Sequence, residues 1–378
     1  MTKHAETNRR NDVTIYICGL HNSYLGGRNE NINEPINLIL KRIIEMQEKK
    51  VRSTEVFDTF WDFAVKRQDV FFMRVAKPNE EKWIDDPILA KHKFTNAYRA
   101  SDRVSQYLIR NVIYSGDSSF EEIFFRIILF KIFNKIETWE LLKSQLGEIS
   151  WHDYSFDHYN NILLNALSNK GAIYSAAYIM ASGRSAFGYE KKHQNHLRLI
   201  EKMMNEQLPF RIASASSLEE VFNIMKSEPS IGNFLAYQYA IDLNYSELIN
   251  FSENDFVMPG PGSLRGIQKC FKITGDVSAS DIIRFVTEQQ ERFLEIRGLT
   301  FKKLWGRPLH LIDIQNLFCE VDKYARVFHP EIGSHDGRKR IKQVFRPNRE
   351  PINYWFPPKW GINGSVDKIK EHYCGSLF

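Results

Sequence analysis

Apolar positions along the chain recur mostly at spacings of three, four and seven, the period of helices buried through one face. From Glu34 to Lys50, Ile36, Leu38, Ile39, Leu40, Ile43, Ile44 and Met46 make a broad apolar face behind Pro35, which suits a first helical turn. Val56 to Val75 repeats the pattern with Phe57, Phe60, Trp61, Ala64 and Phe71. Similar stripes predict helices over Asn96–Ile113, Ser119–Phe133, Thr138–Leu146, Tyr154–Leu167, Leu197–Asn205, Ser217–Lys226, Ile231–Leu243, Ser280–Ile296 and Ile314–Phe328. Period-two alternation is nearly absent, and the β-branched run Asp12–Gly19 reads as an edge strand or extended arm. The pattern therefore predicts a mainly α protein with no solenoid repeat.

The expected organisation is an N-terminal arm over 1–33, a helical domain over 34–345 and a C-terminal strap over 346–378. In the strap, Pro347, Pro351, Pro357 and Pro358 alternate with Tyr354, Trp355, Phe356 and Trp360, which favours an irregular segment packed on the body.

Composition narrows the class. With 43% hydrophobic and 13% aromatic residues among 378, the chain can bury a large core, so global disorder is excluded. The net charge of +5 permits a polyanionic partner without demanding one. The greasiest stretch, Ile123–Phe133, carries Arg126 and Lys131, and the start, Met1–Asp12, lacks the apolar core of a secretion signal. A cytoplasmic protein without membrane contact is expected. Cys18, Cys270, Cys319 and Cys374 form no CxxC pair, and no HExxH is present, so no metal is expected. His193 to His196 reads as a solvated helix end, and Ser182-Gly183-Arg184-Ser185 as a turn rather than a nucleophile elbow. Neither GxxxxGK[ST] nor GxGxxG occurs. No cofactor is expected, and any ATP-dependent kinase step is assigned to another protein.

Three constellations carry candidate chemistry. Met258-Pro259-Gly260-Pro261-Gly262-Ser263-Leu264-Arg265-Gly266 reads as a glycine hairpin opening a helix, a geometry that suits a phosphate oxygen. Pro261 has no amide, so Gly262 and Ser263 are the donors, with Arg265 and Lys269 adding charge. A plain interhelical turn is the alternative. Downstream, Asp313 opens a helix whose polar stripe continues through Asn316, Glu320 and Lys323, beside a buried stripe of Ile314, Leu317, Phe318, Val321 and Ala325. As an N-cap, Asp313 needs no further role. In the third, Asn96, Arg99, Arg103 and Gln106 fall on adjoining helical faces and offer forked donors and amides to a base or sugar, with Asp102 able to hold an arginine. A solvated, salt-bridged face is the alternative.

The order of glycine hairpin and aspartate resembles the helix-hairpin-helix DNA glycosylases, with a longer region between them over Val277–Arg307. A closer resemblance spans most of the chain. The runs 60–68 (FWDFAVKRQ), 86–89 (DPIL), 94–109 (FTNAYRASDRVSQYLI), 260–262 (GPG) and 313–320 (DIQNLFCE) are similar to the α-glutamyl/putrescinyl thymine pyrophosphorylase family, itself related to the helical domain associated with hydroxymethyl-deoxyuridine DNA kinases.

The resemblance implies a two-lobed, helix-hairpin-helix glycosylase-like fold around a cleft, acting on double-stranded DNA with modified bases and needing no obligatory protein partner. The leading expectation is a monofunctional DNA glycosylase that excises a glucosylated hydroxymethyl-pyrimidine from phage DNA in anti-phage defence. Asp313 would be its catalytic carboxylate. Leu264 stands where a Schiff-base lysine would be in strand-cleaving relatives. Gly260, Gly262, Ser263, Arg265 and Lys269 would hold the DNA backbone; Asn96, Arg99, Asp102, Arg103, Gln106, Gln315, Asn316, Glu320 and Lys323 would line the base and sugar pocket. The alternative is a transferase that replaces pyrophosphate on an activated hydroxymethyluracil with an amino acid or polyamine. A third reading, a noncatalytic DNA-binding module, keeps the hairpin for phosphate contact alone.

Overall fold

In the computed structural model the chain divides into a unit spanning Met1–Glu48 and a unit spanning Lys49–Phe378. The described residues are 51–366, except 79, 81, 333–336, 338 and 348–351. The expected helix Glu34–Lys50 and strand Asp12–Gly19 lie outside them, as do Cys18 and Cys374. Helices dominate the described residues, as expected: α1 (Glu55–Ala76), α2 (Pro87–Lys91), α3 (Arg103–Tyr107), α4 (Phe120–Phe133), α5 (Ile136–Leu146), α6 (Phe156–Ser168), α7 (Arg184–Phe187) and α8 (Lys192–Asn205). They continue with α9 (Leu208–Ala213), α10 (Leu218–Lys226), α11 (Asn233–Leu243), α12 (Pro261–Cys270), α13 (Ala279–Glu288), α14 (Gln290–Ile296) and α15 (Leu311–Phe328).

The strand content among the described residues is one antiparallel pair, β1 (Val51–Ser53) with β2 (Phe271–Ile273), in the register Val51↔Ile273. It clips the entry of α1 to the exit of α12. Thr54 caps α1 by accepting the Val56 amide, and the aromatic face read from the sequence is buried as expected. Phe60 meets Phe318 of α15 with ring centroids 4.6 Å apart, and Phe63 meets Tyr324 at 5.2 Å. Helix α4 is apolar nearly all round and buried along its length, as a central helix must be. Asn134 ends it in the left-handed conformation, φ 48°.

Two expected helices are interrupted. Residues 96–113 contain a 3₁₀ turn (Arg99–Ser101), the short α3 and a π-helical stretch (Leu108–Ile113). The side chains break the pattern by bonding to local backbone: Asn96 donates to the Ser101 carbonyl, Gln106 to the Ala100 carbonyl, and Asp102 accepts the Asn96 amide. The expected Ser280–Ile296 helix divides at Gln289, because Gln290 turns inward to bond both backbone groups of Leu309. The histidine run is also corrected. His193 and His196 are buried on α8, with His196 between the Tyr174 hydroxyl and the Ala181 carbonyl, so this is not a solvated helix end.

Candidate functional site

The polar stripe of α15 clasps the 95–99 segment. Glu320 accepts the Thr95 amide at 3.0 Å, and the Asn316 side chain donates to the Asn96 carbonyl at 3.1 Å. Asp313 accepts the Arg99 amide through Oδ1 at 3.0 Å and the His310 amide through Oδ2 at 3.1 Å. Asp313 therefore stands at the third position of α15, not at the N-cap, which is His310. Its carboxyl is 3% exposed, inside packed structure rather than facing an open groove. Burial, reinforced by the charge of Glu253, pushes its pKa up to about 7 against the pull of the two amides. Burial likewise lifts Asp102 to about 6, with the Asn96 amide and Arg67 opposing.

The structure thus brings Asn96, Arg99, Asp102, Gln106, Asp313, Asn316 and Glu320 into one junction, but mostly as fasteners of one another. Gln106 also accepts the Trp355 amide at 2.8 Å, which ties the C-terminal segment to this junction. Arg103 is exposed, and Lys323 pairs with Glu320 at 2.6 Å. Gln315 is buried against the start of α12, where its Nε2 would lie 3.3 Å from a Cβ on Gly260.

The expected phosphate grip is built differently. Residues 244–260 separate α11 from α12, so the turn is not a tight hairpin between helices. A Cβ on Gly262 would come 2.3 Å from the Cys319 sulfur, and one on Gly266 would come 1.9 Å from the Phe318 carbonyl oxygen. These glycines, four residues apart on one face of α12, exist to let α12 and α15 touch. Ser263 is fully buried, and its hydroxyl has no partner among the described residues. Asp322 of α15 takes Arg265 at 3.2 Å, Lys269 at 3.1 Å and Arg326 at 2.5 Å. Lys269 is buried in that cluster. The geometry therefore assigns Ser263, Arg265 and Lys269 to the α12–α15 contact rather than to an exposed phosphate site.

Sequence reasoning missed a buried ionic network next to this junction. The Arg99 guanidinium donates to Asp242 at 2.8 Å and to Gln238 at 2.9 Å, both on α11. Lys131 of α4 lies 3.2 Å from the other Asp242 oxygen and 4.6 Å from the centre of the Tyr178 ring. Burial and the nearby Arg99 charge push Lys131 down to about 8, with Asp242 holding it up. Tyr178 in turn stacks on Phe234, whose ring sits against Gly260. The available signal was a lysine and an aspartate, Lys131 and Asp242, inside otherwise apolar stripes, since full burial of such groups requires a partner.

Among the described residues, Glu55, His329 and Glu331 bring three donor atoms within 4.8 Å of one another. Both His329 nitrogens are already engaged, by Thr59 at 2.8 Å and Glu331 at 3.2 Å. No helix among the described residues is long and apolar enough to cross a membrane.

The model of the 5-hmdU DNA kinase helical domain matches residues 54–334. The chain belongs to that family. The 5-hmdU DNA kinase of Bacillus phage SP10 is 27% identical over 329 residues, covering 81% of this chain and 51% of the relative. The chain thus spans about half the length of that curated relative. No solved structure matches. The 5-hmdU DNA kinase family match corrects the expectation of a hydrolase that excises a modified base in defence against phage: the relative is named a kinase, a group-transfer enzyme.

Proposed function

We propose that this chain recognises pyrophosphorylated 5-hydroxymethyl-deoxyuridine in DNA and serves group transfer at the exocyclic methylene, the second of the two reactions raised by the sequence. In that reaction an amine nitrogen forms a bond to the methylene carbon, the carbon–oxygen bond breaks, and pyrophosphate leaves with the bonding electrons. The amine proton passes to a base, and the glycosidic bond stays intact. The family match over residues 54–334 carries this reading. The lack of a P-loop assigns phosphorylation of the hydroxymethyl group to a different polypeptide segment, and the named relative is about twice as long as the portion this chain covers.

Transfer to carbon needs a proton acceptor poised near neutrality, and burial has raised two junction carboxyls into that range. Asp102 is the half-buried one, beside Asn96, and the proposal makes it the acceptor. Asp313 is a positioning residue, holding the 95–99 segment in register with α15. The base must leave the stack to reach Asp102.

The test is nucleoside mass spectrometry. Duplex DNA carrying pyrophosphorylated hydroxymethyluracil is incubated with the protein and putrescine or glutamate. Appearance of a heavier thymidine derivative with equimolar pyrophosphate supports the proposal. Unchanged nucleosides, or phosphate added to hydroxymethyluracil from ATP by this chain alone, overturn it.

A further inference from the structure

Residues 175–183, between α6 and α7, place Tyr178 against the buried network of Arg99, Asp242 and Lys131. The Tyr178 ring stacks on Phe234 of α11, with centroids 5.7 Å apart and planes 7° from parallel, and the Lys131 ammonium lies 4.6 Å from its centre. We infer that this ring slot is the seat of the extruded pyrimidine, for which the Tyr178 ring is a built-in competitor. The inference rests on the group-transfer reading only for the identity of that base.

A pyrimidine is a six-membered ring like the phenol and carries carbonyl oxygens where the phenol carries its hydroxyl. It can take over the stack on Phe234 and the nearby cation without breaking a buried ion pair, because Asp242 keeps Arg99 at 2.8 Å and Lys131 at 3.2 Å. Phe234 is held in place by the start of α12, since an ideal Cβ on Gly260 would lie 2.8 Å from its ring. The charges of Arg99, Asp102 and Asp242 all act on the Tyr178 hydroxyl. A base seated here is therefore within electrostatic reach of Asp102, the carboxyl assigned above as proton acceptor.

The segment that carries Tyr178 is weakly held. Tyr178 is in the left-handed conformation, φ 57°, which a bulky side chain keeps only where its contacts enforce it. The Ser175 amide donates to the Phe133 carbonyl at 2.9 Å on one side, and the Ala181 carbonyl accepts His196 at 2.7 Å on the other. Between these anchors, among the described residues, no backbone-to-backbone hydrogen bond fixes residues 176–180. Ala176, Ala177 and Ile179 are exposed, Ile179 at 71%, so withdrawal of the ring opens the slot to solvent without unpacking the core.

The whole chain labelled with 3-fluorotyrosine reports the ring directly by fluorine NMR, the resonance of position 178 being assigned by its loss in Tyr178→Phe. Duplex carrying pyrophosphorylated hydroxymethyluracil should move that resonance to the position of a solvent-exposed fluorotyrosine, and unmodified duplex should not. Tyr178→Gly removes the competitor and should bind the modified duplex roughly tenfold more tightly, because affinity is otherwise reduced to the fraction of molecules with the slot open. Phe234→Leu should weaken binding about fivefold or more, the loss expected for a stacking face. A resonance unmoved at saturating modified duplex, equal movement with both duplexes, or Tyr178→Gly binding no more tightly than the parent would overturn the seat. Movement with free 5-hydroxymethyl-deoxyuridine but not with the modified duplex would overturn its assignment to DNA. Displacement of Tyr178 without a transfer product counts against the transfer reading alone, and product with an unmoved ring counts against the seat alone.

Discussion

Gly266 on α12 lies so close to Phe318 on α15 that a Cβ at that position would sit 1.9 Å from the Phe318 carbonyl oxygen and 2.6 Å from its carbon. Both atoms are backbone, so neither can turn aside. Gly266→Ala should cost about 3 kcal/mol or more despite alanine's better helix propensity. Gly262 differs because its nearest neighbour is a side-chain sulfur, 2.3 Å from the ideal Cβ. Gly262→Ala should therefore be partly rescued by Cys319→Ala, and Gly266→Ala should not. Urea unfolding of the single and double variants checks this, and equal rescue of both would contradict the backbone-contact argument.

Asp313 gives a pH signature. Its folded pKa, about 7, exceeds its usual value of 3.8, so the folded state holds this proton between those limits while the unfolded chain releases it. The resulting stabilisation is complete below the unfolded value and is lost as pH rises through about 7. Asp313→Asn stays neutral at every pH and has one oxygen for two amides, which costs about 1–3 kcal/mol. Its penalty relative to the parent should be larger near pH 5 than near pH 8, by at most about 3 kcal/mol. Denaturation midpoints at the two pH values measure the difference, and a pH-independent penalty would show that the carboxyl is ionised throughout.

How much of this was legible depended on whether side chains obeyed the local period. Phe57, Phe60, Trp61, Ala64 and Phe71 announced α1 almost to the residue, and the apolar stripe over 119–133 announced α4 despite Arg126 and Lys131. The 96–113 segment misled, because Asn96, Asp102 and Gln106 satisfy local backbone groups instead of pointing out from a helix. The junction residues were found, since Asn96, Arg99, Asp313, Asn316 and Glu320 do converge. Their partners were not, because pairings such as Arg99 with Asp242 link positions 143 residues apart and leave no periodic trace. The glycine run was noticed for the wrong reason: its Gly262–Gly266 spacing encodes helix contact, and the charges beside it answer Asp322.

Asp242 is the anion between two buried cations. Removing its charge leaves Arg99 and Lys131, each 3% exposed as side chains, without an ion-pair partner among the described residues. Asp242→Asn should destabilise by about 3–5 kcal/mol, the usual cost of breaking a buried pair. Lys131→Met in the same background removes one of the stranded charges and should recover a substantial part. A double-mutant cycle by chemical denaturation reads the coupling, and strict additivity would show that Lys131 does not depend on Asp242.

His196 sets the acid limit of the fold. Its Nε2 donates to the Ala181 carbonyl at 2.7 Å, leaving Nδ1 to accept from the Tyr174 hydroxyl at 2.9 Å, so the buried ring is neutral. Burial lowers its pKa from 6.5 to about 4, with the neighbouring Lys192 and His193 charges adding to the shift and the Ala181 bond resisting it. As pH falls from 6.5 the unfolded chain takes up the proton first, so the stability this group contributes is complete above that value and is lost as pH approaches about 4. Integrated over the window, the loss is at most about 3 kcal/mol. His196→Gln preserves one donor and one acceptor without a titrating group, so its stability should fall less than the parent's between pH 7 and 4.5. Asp313 changes in the opposite direction over part of that range in both proteins, and subtracting the two curves cancels it. Parallel curves would mean that His196 is protonated as readily in the folded chain as in the unfolded one.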